Sequence, residues 1–411
     1  MEKTSPCRGC GAAEPDLVID LGRQPLANAY TEPDSAPEPP TACFPLAVVF
    51  CPECALVQIA ETVDPAQLFA DYVYLSSSSD AFVAHAGALA DALIGQMSLT
   101  AASRVMEIGS NDGYLLEHYH RQGIPVLGIE PAATIARIAE DRGIATVNEF
   151  FSADLARRLR DHGLTADVLH ANNVLAHLPD IHDALRGIET VLSPSGRLVV
   201  ETPYVRALVD HLEFDTIYHE HVFYYSLSSL AGLLAQHDLV VVDVERLAVH
   251  GGSLRVHAQR AGVAQEGPRV AELLAEEKDA GLLDLAYYEQ FASSVAALGE
   301  RLRGCLAALR TEGHRVAAYG AAAKGTVLLN AFGIGAGVIE FVADRNPLKH
   351  GRLMPGVRIP IRPAEAILDE MPDVVLLLVW NFAAEVVEQQ QAYIDRGGRF
   401  LVPLPEPRFI P

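Results

Sequence analysis

Four short apolar segments in the middle of the chain constrain its fold most, because each of them ends at polar residues. They are VMEI, PVLGI, IATV and ADVLH, and the first is followed by a helical pattern, YLLEHYH. Buried strands that alternate with amphipathic helices are typical of a doubly wound α/β domain. Because the carboxyl ends of such strands face one crevice, the sequence predicts an α/β fold with a binding site at that edge.

The loop after the first segment has the pattern E-x-G-x-x-x-G, from Glu107 to Gly113. A dinucleotide-binding fold favours G-x-G-x-x-G, in which the backbone approaches a pyrophosphate. This loop instead offers the carboxylate and amide groups of Glu107, Asn111 and Asp112, which suit a cationic ligand that carries an amino acid. Glu130, at the end of the second segment, is placed to accept both hydroxyls of a ribose.

Together these strand ends indicate a class I methyltransferase domain that binds S-adenosylmethionine. The alternative is another nucleotide-binding Rossmann-like domain. The predicted cofactor-binding residues are Glu107, Gly109, Asn111, Gly113, Glu130, Asn148, Phe150 and Asn172.

Two C-x-x-C pairs near the amino terminus predict a metal site. Cys7 with Cys10 and Cys51 with Cys54 can each aim two sulfurs at one ion, and four thiolates suit tetrahedral structural zinc. The gap between the pairs is longer than in most zinc ribbons, but it contains TEPDSAPEPP, a Pro-rich loop that costs little to loop out. The alternative interpretation is a pair of redox dithiols.

A polar, aromatic stretch, TIYHEHVFYYS, follows the later apolar strand GRLVVETPYV. Its position at a strand end directs it toward the cofactor crevice. Methyl transfer to carbon requires an enolate or carbanion, so the site needs a base near a C–H bond and donors for the developing oxyanion. Histidine has a suitable reference pKa for that base, and Glu220 or a phenol can orient the substrate. The alternative is a half-buried loop that uses His and Tyr only for packing.

Motifs along nearly the whole chain resemble one enzyme family. The C-x-x-C pairs, DYVYLSSSSD, MEIGSNDGYLL, GIEP, ANNVLAHLPD, YHEHVFYYSL and AAYGAAAKG are similar to those of three-domain C-methyltransferases. These enzymes act on nucleotide-linked 4-keto-deoxysugars in antibiotic pathways. The resemblance implies a zinc-binding domain, a central methyl-donor domain and a carboxy-terminal Rossmann-like domain that helps to hold the nucleotide sugar, with dTDP as its expected nucleotide and C3 as the methylated carbon.

The resemblance also implies residue roles. His221 would be the base, Tyr218, Glu220 and His177 would surround the sugar, and Tyr72 or Tyr74 would close over it. If the stretch is extended, His219 and His221 share one face, so the choice between them rests on the resemblance alone.

The last domain has features of its own. Its turn GAAAKG departs from G-x-G-x-x-G, which argues against bound NAD, but helix amides and Lys324 could cradle a phosphate. Two of the four lysines, Lys324 and Lys349, fall in the loops of this domain, near His350 and Arg352. The alternative is a solvated turn with incidental charge. The predicted substrate-binding residues are Tyr72, Tyr74, Lys324, Asp344, Arg345, Trp380 and Asn381, of which Trp380 and Asn381 could flank a nucleobase.

Length and charge set the remaining expectations. We predict a zinc-binding domain at 1–68, a methyl-donor domain at 69–265, a helical connector at 266–311 and the last domain at 312–411, with HGGSLRVHAQ as an edge strand. The net charge of −22 disfavours nucleic acid and anionic membranes as partners. The chain contains no 18-residue apolar run, and its first residues lack a signal-peptide pattern, so we expect a cytoplasmic monomer.

Two other functional classes remain open from the sequence. An O- or N-methyltransferase would need no enolate stabilisation, and the YHEH cluster argues against it. A non-catalytic zinc-bearing scaffold would not need the ordered cofactor residues.

Overall fold

The computed structural model describes residues 5–33, 42–69 and 75–410. Tyr72 and Tyr74, which the resemblance places over the substrate, lie outside the described residues. Across the described part of the chain, the inner strands of the central and last sheets are deeply buried. All four residues of VMEI and of VVLL are buried, as expected for parallel strands covered on both faces.

The strands form three sheets. In chain order they are β1 Asp16–Pro25, β2 Cys43–Phe50, β3 Val57–Ile59, β4 Val105–Ile108, β5 Val126–Ile129, β6 Thr146–Val147, β7 Ala166–Asn172, β8 Leu192–Pro203, β9 Phe223–Tyr224, β10 Leu239–Leu247, β11 Ser253–Arg260, β12 Val316–Tyr319, β13 Val342–Asp344, β14 Ile361–Pro363, β15 Val374–Leu377, β16 Arg399–Val402 and β17 Arg408–Ile410.

The helices pack around these sheets. They are α1 Pro65–Phe69, α2 Asp80–Met97, α3 Leu116–Arg121, α4 Ala133–Asp141, α5 Ala153–Asp161, α6 Ile181–Val191, α7 Val205–Asp210, α8 Leu227–Ala235, α9 Pro268–Asp279, α10 Phe291–Thr311, α11 Ala323–Ala331, α12 Ala366–Glu370, α13 Ala383–Gln389 and α14 Gln391–Asp395. Helices α9 and α10 occupy the stretch for which a helical connector is predicted.

The central sheet has the order β10-β11-β8-β7-β4-β5-β6. Strands β6, β5, β4, β7 and β8 run parallel, so the polar residues after the four apolar segments meet at one edge. The predicted edge strand HGGSLRVHAQ is wrong. Most of this segment belongs to β11, which lies inside the sheet because β10 pairs along one side of it and β8 along the other.

The other two sheets flank the central one in the chain. The amino-terminal sheet has the order β1-β2-β3-β9 and is antiparallel throughout. Its last strand, β9, lies in the TIYHEHVFYYS segment, directly after YHEH. This segment therefore joins the amino-terminal domain to the central one. The carboxy-terminal sheet has the order β14-β13-β12-β15-β16-β17, with β17 antiparallel to β16.

A buried carboxylate on α9 holds the beginning of α8, the helix that follows the YHEH stretch. Glu277 accepts hydrogen bonds from the backbone N–H groups of Leu227, at 2.7 Å, and Ser228, at 2.8 Å. It also accepts one from the Ser228 hydroxyl at 2.6 Å, and its side chain is fully buried. These bonds satisfy amide groups that have no partner within α8 itself.

We expect Glu277→Ala to destabilise the protein by about 2 kcal/mol, because it leaves buried donors without an acceptor. The neighbouring Glu276 is a matched control, since its ion pair with Arg246 is half exposed and Glu276→Ala should lower the unfolding midpoint much less. Thermal unfolding followed by circular dichroism measures both variants. Equal midpoints for the two variants would contradict this role of Glu277.

Candidate active site

One cleft of about 380 Å³ lies where the three sheets meet, at the carboxyl ends of the central strands. Residues from all three sheets' domains line it. They are Asn28, Ser76, Phe82, Gly109, Asn111, Tyr114, Asn172, Asn173, Ala176, His177, Pro203, Thr216, Tyr218, Glu220, His221, Ala322, Ala323, Lys324, Asp344, Lys349, Val379, Asn381 and Phe382.

The glycine loop between β4 and α3 forms one wall. Gly109 has φ +64°, and a Cβ there would meet Val174 at 2.8 Å, so only glycine fits the close approach. Asn111 also adopts a positive φ and lines the cleft, and its Oδ1 accepts a hydrogen bond from the Ser76 backbone at 2.9 Å. Asp112 lies outside the cleft lining and forms an ion pair with Arg142 at 3.1 Å.

Glu130, the predicted ribose-binding residue immediately after β5, is buried and is not among the cleft-lining residues. Its two carboxylate oxygens accept one backbone hydrogen bond each, from Asn111 at 3.0 Å and from Ala132 at 2.8 Å. Each oxygen retains a second lone pair, so two hydroxyl groups could still be accepted. Burial raises the pKa of Glu130, and the two backbone bonds act in the opposite direction.

Glu107 lies beneath the loop rather than in the cleft lining. Its side chain is buried, and burial raises its pKa well above the ordinary range, with further contributions from Glu130, Asp112 and Glu201. Its Oε2 has no hydrogen-bond partner among the described residues. The predicted contact of Glu107 with the cofactor therefore stays a prediction.

The remaining predicted cofactor residues differ in position. Asn172 lines the cleft, and within the described part of the chain its Oδ1 has no hydrogen-bond partner, so it can accept from a ligand. Asn148 stabilises the loop after β5 by donating hydrogen bonds to the carbonyls of Glu130 and Pro131, at 2.8 and 2.9 Å. Phe150 is 45% exposed, and neither it nor Gly113 is among the cleft-lining residues.

Tyr218 and His221 form a hydrogen-bonded pair in the cleft. His221 Nδ1 lies 2.8 Å from the carbonyl oxygen of Thr216, and a carbonyl can only accept, so Nδ1 carries the proton. The Nε2 atom of the neutral ring is then an acceptor, and it receives the Tyr218 hydroxyl at 2.9 Å. The ring therefore presents its basic nitrogen beside a phenol in the cleft.

The YHEH stretch is a turn, so its expected extended geometry is wrong. The His221 N–H donates to the Tyr218 carbonyl at 2.8 Å, which brings these two side chains to the same side. His219 is buried outside the cleft lining and lies 3.2 to 3.3 Å from the carbonyls of Phe44 and Pro45 on β2. The two histidines thus do not share a face, because the turn replaces strand alternation.

His177 and Glu220 complete this wall of the cleft. His177 Nδ1 lies 2.7 Å from the Glu220 carbonyl, and the His177 and His221 rings are 5.0 Å apart. Burial lowers the pKa of His177 to about 4, so its ring is neutral at pH 7. Burial raises the pKa of the Glu220 carboxyl to about 7.

Lys324 lies on the opposite wall, near the start of α11. Its Nζ is buried 4.4 Å from the Trp380 ring, and no described residue accepts a hydrogen bond from it. Burial lowers its pKa, while Asp215 and Glu213 act in the opposite direction. Trp380 does not line the cleft. Its indole N–H donates to Asp215 at 2.7 Å.

Several charged residues near Lys324 form hydrogen bonds or ion pairs with other groups of the protein. Asp344 lines the cleft and accepts from the Ala321 backbone N–H at 2.7 Å, and Lys349 donates to the Ala321 carbonyl at 2.8 Å. Asn381 also lines the cleft. Arg345 does not, and its guanidinium lies 3.5 Å from Glu385 at the surface. The positive charge that faces the cleft therefore comes from the two lysines.

Several cleft residues did not follow from the sequence. Asn28 donates to Glu220 across 192 positions of chain, so no local pattern points to it. Phe82 and Tyr114 stack with ring centroids 5.1 Å apart beside the glycine loop. Asp215 is buried. Its only sequence signal is that it is a carboxylate in the polar segment directly before YHEH.

The four cysteines of the two C-x-x-C pairs come together as predicted. Their Sγ atoms all lie within 4.8 Å of one another, with Cys7 3.6 Å from Cys54 and Cys10 3.5 Å from Cys51. A tetrahedral zinc ion with Zn–S bonds of about 2.3 Å separates its sulfurs by about 3.8 Å, so the residues present fit the ion. Four thiolates would fill a tetrahedral coordination shell and leave no open position for chemistry.

We expect one zinc ion per chain and a loss of folded protein in Cys51→Ser, because the metal stabilises a small domain. Cys43→Ser, a cysteine of the same domain outside the cluster, is the matched control and should retain zinc. Metal analysis and the yield of monodisperse protein measure the effect. A zinc-free Cys51→Ser protein with unchanged stability would contradict a structural role.

Family models match three successive parts of the chain. A zinc binding domain matches residues 7–69, a "Methyltransferase domain" matches residues 82–244, and a "C-methyltransferase C-terminal domain" matches residues 248–405. The chain is 39% identical to "C-methyltransferase NovU" of Streptomyces niveus over 98% of its own length and 96% of that protein.

More distant similarities cover smaller parts of the chain. A "Ubiquinone biosynthesis O-methyltransferase" of Azorhizobium caulinodans is 30% identical over 24% of this chain and 40% of that protein. The crystal structure of 1,6-didemethyltoxoflavin-N1-methyltransferase from Burkholderia thailandensis, with bound 1,6-didemethyltoxoflavin and S-adenosylhomocysteine, is similar over 53% of this chain and 96% of that chain. Its identity is 19% and its TM-score 0.36.

The predicted fold class and cofactors are confirmed. The chain has a zinc-binding amino-terminal domain, a central domain of the class I fold that binds S-adenosylmethionine, and a Rossmann-like carboxy-terminal sheet. Among the helices of the described residues, none has the length and apolar character required to cross a bilayer.

Proposed function

Because the chain belongs to the S-adenosylmethionine-dependent C-methyltransferase family that includes NovU, we propose that it methylates C3 of a dTDP-linked 4-keto-deoxysugar. The family membership establishes a C-methyltransferase. The sugar, the dTDP group, the C3 position and a role in antibiotic deoxysugar biosynthesis follow from the resemblance of the sequence motifs. One observation carries the proposal: a histidine with a basic nitrogen lies in the same cleft as the cofactor loop.

The proposed base is His221. Its Nδ1 proton is held by the Thr216 carbonyl, so Nε2 is free of a proton and can accept one. The C3 proton of a 4-keto sugar is acidified by the adjacent carbonyl, and its removal leaves an enolate. When an acceptor is bound, the Tyr218 hydroxyl can turn from Nε2 to the enolate oxygen, which vacates Nε2 for the C3 proton.

The other groups of this wall have proposed supporting roles. His177 is neutral and commits Nδ1 to the Glu220 carbonyl, so it shapes the site without adding charge. Glu220 can accept a hydrogen bond from a sugar hydroxyl when ionised. Bound S-adenosylmethionine supplies the electrophilic methyl group that the enolate carbon takes up. His221 removes the C3 proton first. The new C3–methyl bond would then form as the methyl–sulfur bond of the bound donor breaks, with S-adenosylhomocysteine as the leaving group.

The proposed nucleotide site lies on the opposite wall. Lys324 is a buried cation without a hydrogen-bond acceptor among the described residues, and an anionic diphosphate oxygen would provide one. Asp344, Arg345, Trp380 and Asn381 remain proposed substrate residues, of which Asp344 and Asn381 have the support of lining the cleft. The three sheets support the proposed domains at 1–68, 69–265 and 312–411, with the connector at 266–311 between them.

The experiment is incubation with a panel of dTDP-4-keto sugars and isotopically labelled S-adenosylmethionine. We expect a mass increase of one labelled methyl group, with NMR placing it on C3. Label on an oxygen or nitrogen atom would favour an O- or N-methyltransferase. Failure to bind S-adenosylmethionine in calorimetry would favour a non-catalytic scaffold. A cytoplasmic monomer stays a prediction, and analytical ultracentrifugation checks the oligomeric state.

A further inference from the structure

The loop that follows β1 in the zinc-binding domain reaches the cleft through Asn28. The Asn28 Nδ2 group donates a hydrogen bond of 2.7 Å to Oε1 of Glu220, in the YHEH turn of the central domain. Both residues line the cleft. A side chain of the zinc-binding domain therefore touches a carboxyl group that faces the proposed acceptor site.

The carboxy-terminal domain holds this loop in place. The Thr326 hydroxyl donates to the Ala27 carbonyl at 2.9 Å, and the Tyr30 hydroxyl donates to the Ala321 carbonyl at 2.6 Å. The ammonium group of Lys349 lies 5.5 Å from the centroid of the Tyr30 ring. The three domains thus meet around Asn28, which gives its side chain a defined position.

The Asn28 amide has its nitrogen end toward Glu220 and its oxygen end toward Tyr30. An ionised carboxylate can only accept, so the bond at Glu220 requires the amide N–H group, while Asn28 Oδ1 lies 3.4 Å from the Tyr30 hydroxyl oxygen, whose proton is donated to the Ala321 carbonyl. A donor at this distance favours the ionised carboxylate over the neutral acid. Among the described residues, no other side chain donates to the Glu220 carboxyl group.

We propose that Asn28 is a positioning residue of the active site, which holds the Glu220 carboxylate in one orientation and in its ionised form at the cleft wall. The zinc-binding domain would then contribute to catalysis as well as carrying zinc. This inference rests on the proposed acceptor site in the cleft, but not on which acceptor is methylated.

The protonation of Glu220 is sensitive to this bond. Burial raises the pKa of Glu220 to about 7, and the Asn28 hydrogen bond acts in the opposite direction. Removing the bond therefore raises the pKa further, so a smaller fraction of Glu220 is ionised at pH 7. The ionisable groups around Glu220 are His177, Tyr218 and His221 in the central domain, Tyr30 beside Asn28, and Lys349 with Asp344 behind Tyr30.

The test is an infrared titration of the protonated carboxyl band. At each pH the spectrum of Glu220→Gln is subtracted from that of the wild type, which isolates the band of Glu220. We expect the midpoint to rise by about one pH unit in Asn28→Ala, measured against Asn28→Ala with Glu220→Gln. Asn28→Asp has the same shape and adds a second carboxylate, so it should move the midpoint in the same direction by more. The acid limb of the pH profile of kcat/KM should move with the midpoint.

Gln24→Ala is the matched control, because it removes a buried side-chain amide from the same domain without touching Glu220. The Gln24 Nε2 group donates to the Leu21 carbonyl at 2.6 Å. An unchanged midpoint in both Asn28 variants, or an equal shift in Gln24→Ala, overturns the proposal. If no acceptor is methylated, the proposed function fails, but the infrared midpoint still decides the role of Asn28.

Discussion

Replacing His221 with alanine is expected to lower turnover by about 100- to 10,000-fold, the range typical for loss of a general base. The physical reason is that Nε2 of His221 is the basic nitrogen presented in the cleft, with its tautomer set by the Thr216 carbonyl. Binding of both ligands should persist, because the glycine loop and Lys324 are unchanged. Steady-state kinetics and calorimetry measure the two properties separately.

A second measurement isolates the proton-removal step. With S-adenosylhomocysteine in the donor site, the wild type should exchange the C3 proton of the acceptor with deuterium from solvent, and His221→Ala should not. NMR follows this exchange without methyl transfer. His219→Ala is the comparison, since His219 contacts the carbonyls of Phe44 and Pro45 outside the cleft lining. If His221→Ala keeps exchange and turnover while His219→Ala abolishes both, the base is His219.

Replacing Lys324 with alanine is expected to raise KM for the nucleotide sugar by about 5- to 150-fold. This range corresponds to loss of a charged hydrogen bond worth about 1 to 3 kcal/mol. Affinity for S-adenosylmethionine should be nearly unchanged, because Lys324 belongs to the carboxy-terminal domain and the cofactor loop to the central one. Initial-rate kinetics with each substrate varied in turn measure the split.

Two variants sharpen the Lys324 experiment. Lys324→Met keeps an apolar stem near the Trp380 ring and removes only the charge, so it separates phosphate binding from packing. Lys278→Ala removes an exposed lysine of α9 and should leave both constants unchanged. A large loss of S-adenosylmethionine affinity with an unchanged KM for the sugar would assign Lys324 to the cofactor instead.

The sequence alone was sufficient for the parallel strands of the central sheet, the glycine loop and the metal cluster. The four apolar segments overlap β4, β5, β6 and β7. Strand β4 is buried at every position and β7 at most positions, and such burial selects apolar residues. The two C-x-x-C pairs meet because each turn presents two sulfurs whatever the length of the loop between the pairs. These features depend on patterns within a few residues of chain.

The direction of side chains in the YHEH stretch was decided by tertiary structure. Strand alternation would place His219 with His221, but the turn at Tyr218 directs His221 into the cleft and leaves His219 on the zinc-binding domain. The turn directly precedes β9, which leaves the central domain and pairs with β3 of the amino-terminal sheet. That pairing is between segments far apart in the chain, and no local pattern encodes it.

The sequence by itself therefore determined the fold class and the four-cysteine cluster, since each depends on short-range burial patterns or on ligand spacing. Only the tertiary structure brought Asn28 to Glu220 and Trp380 to Asp215, through hydrogen bonds of 2.7 Å that join different domains. Such contacts depend on how the finished domains pack. The cleft acquires its composition at that step, because its walls come from three parts of the chain that meet only after each has folded.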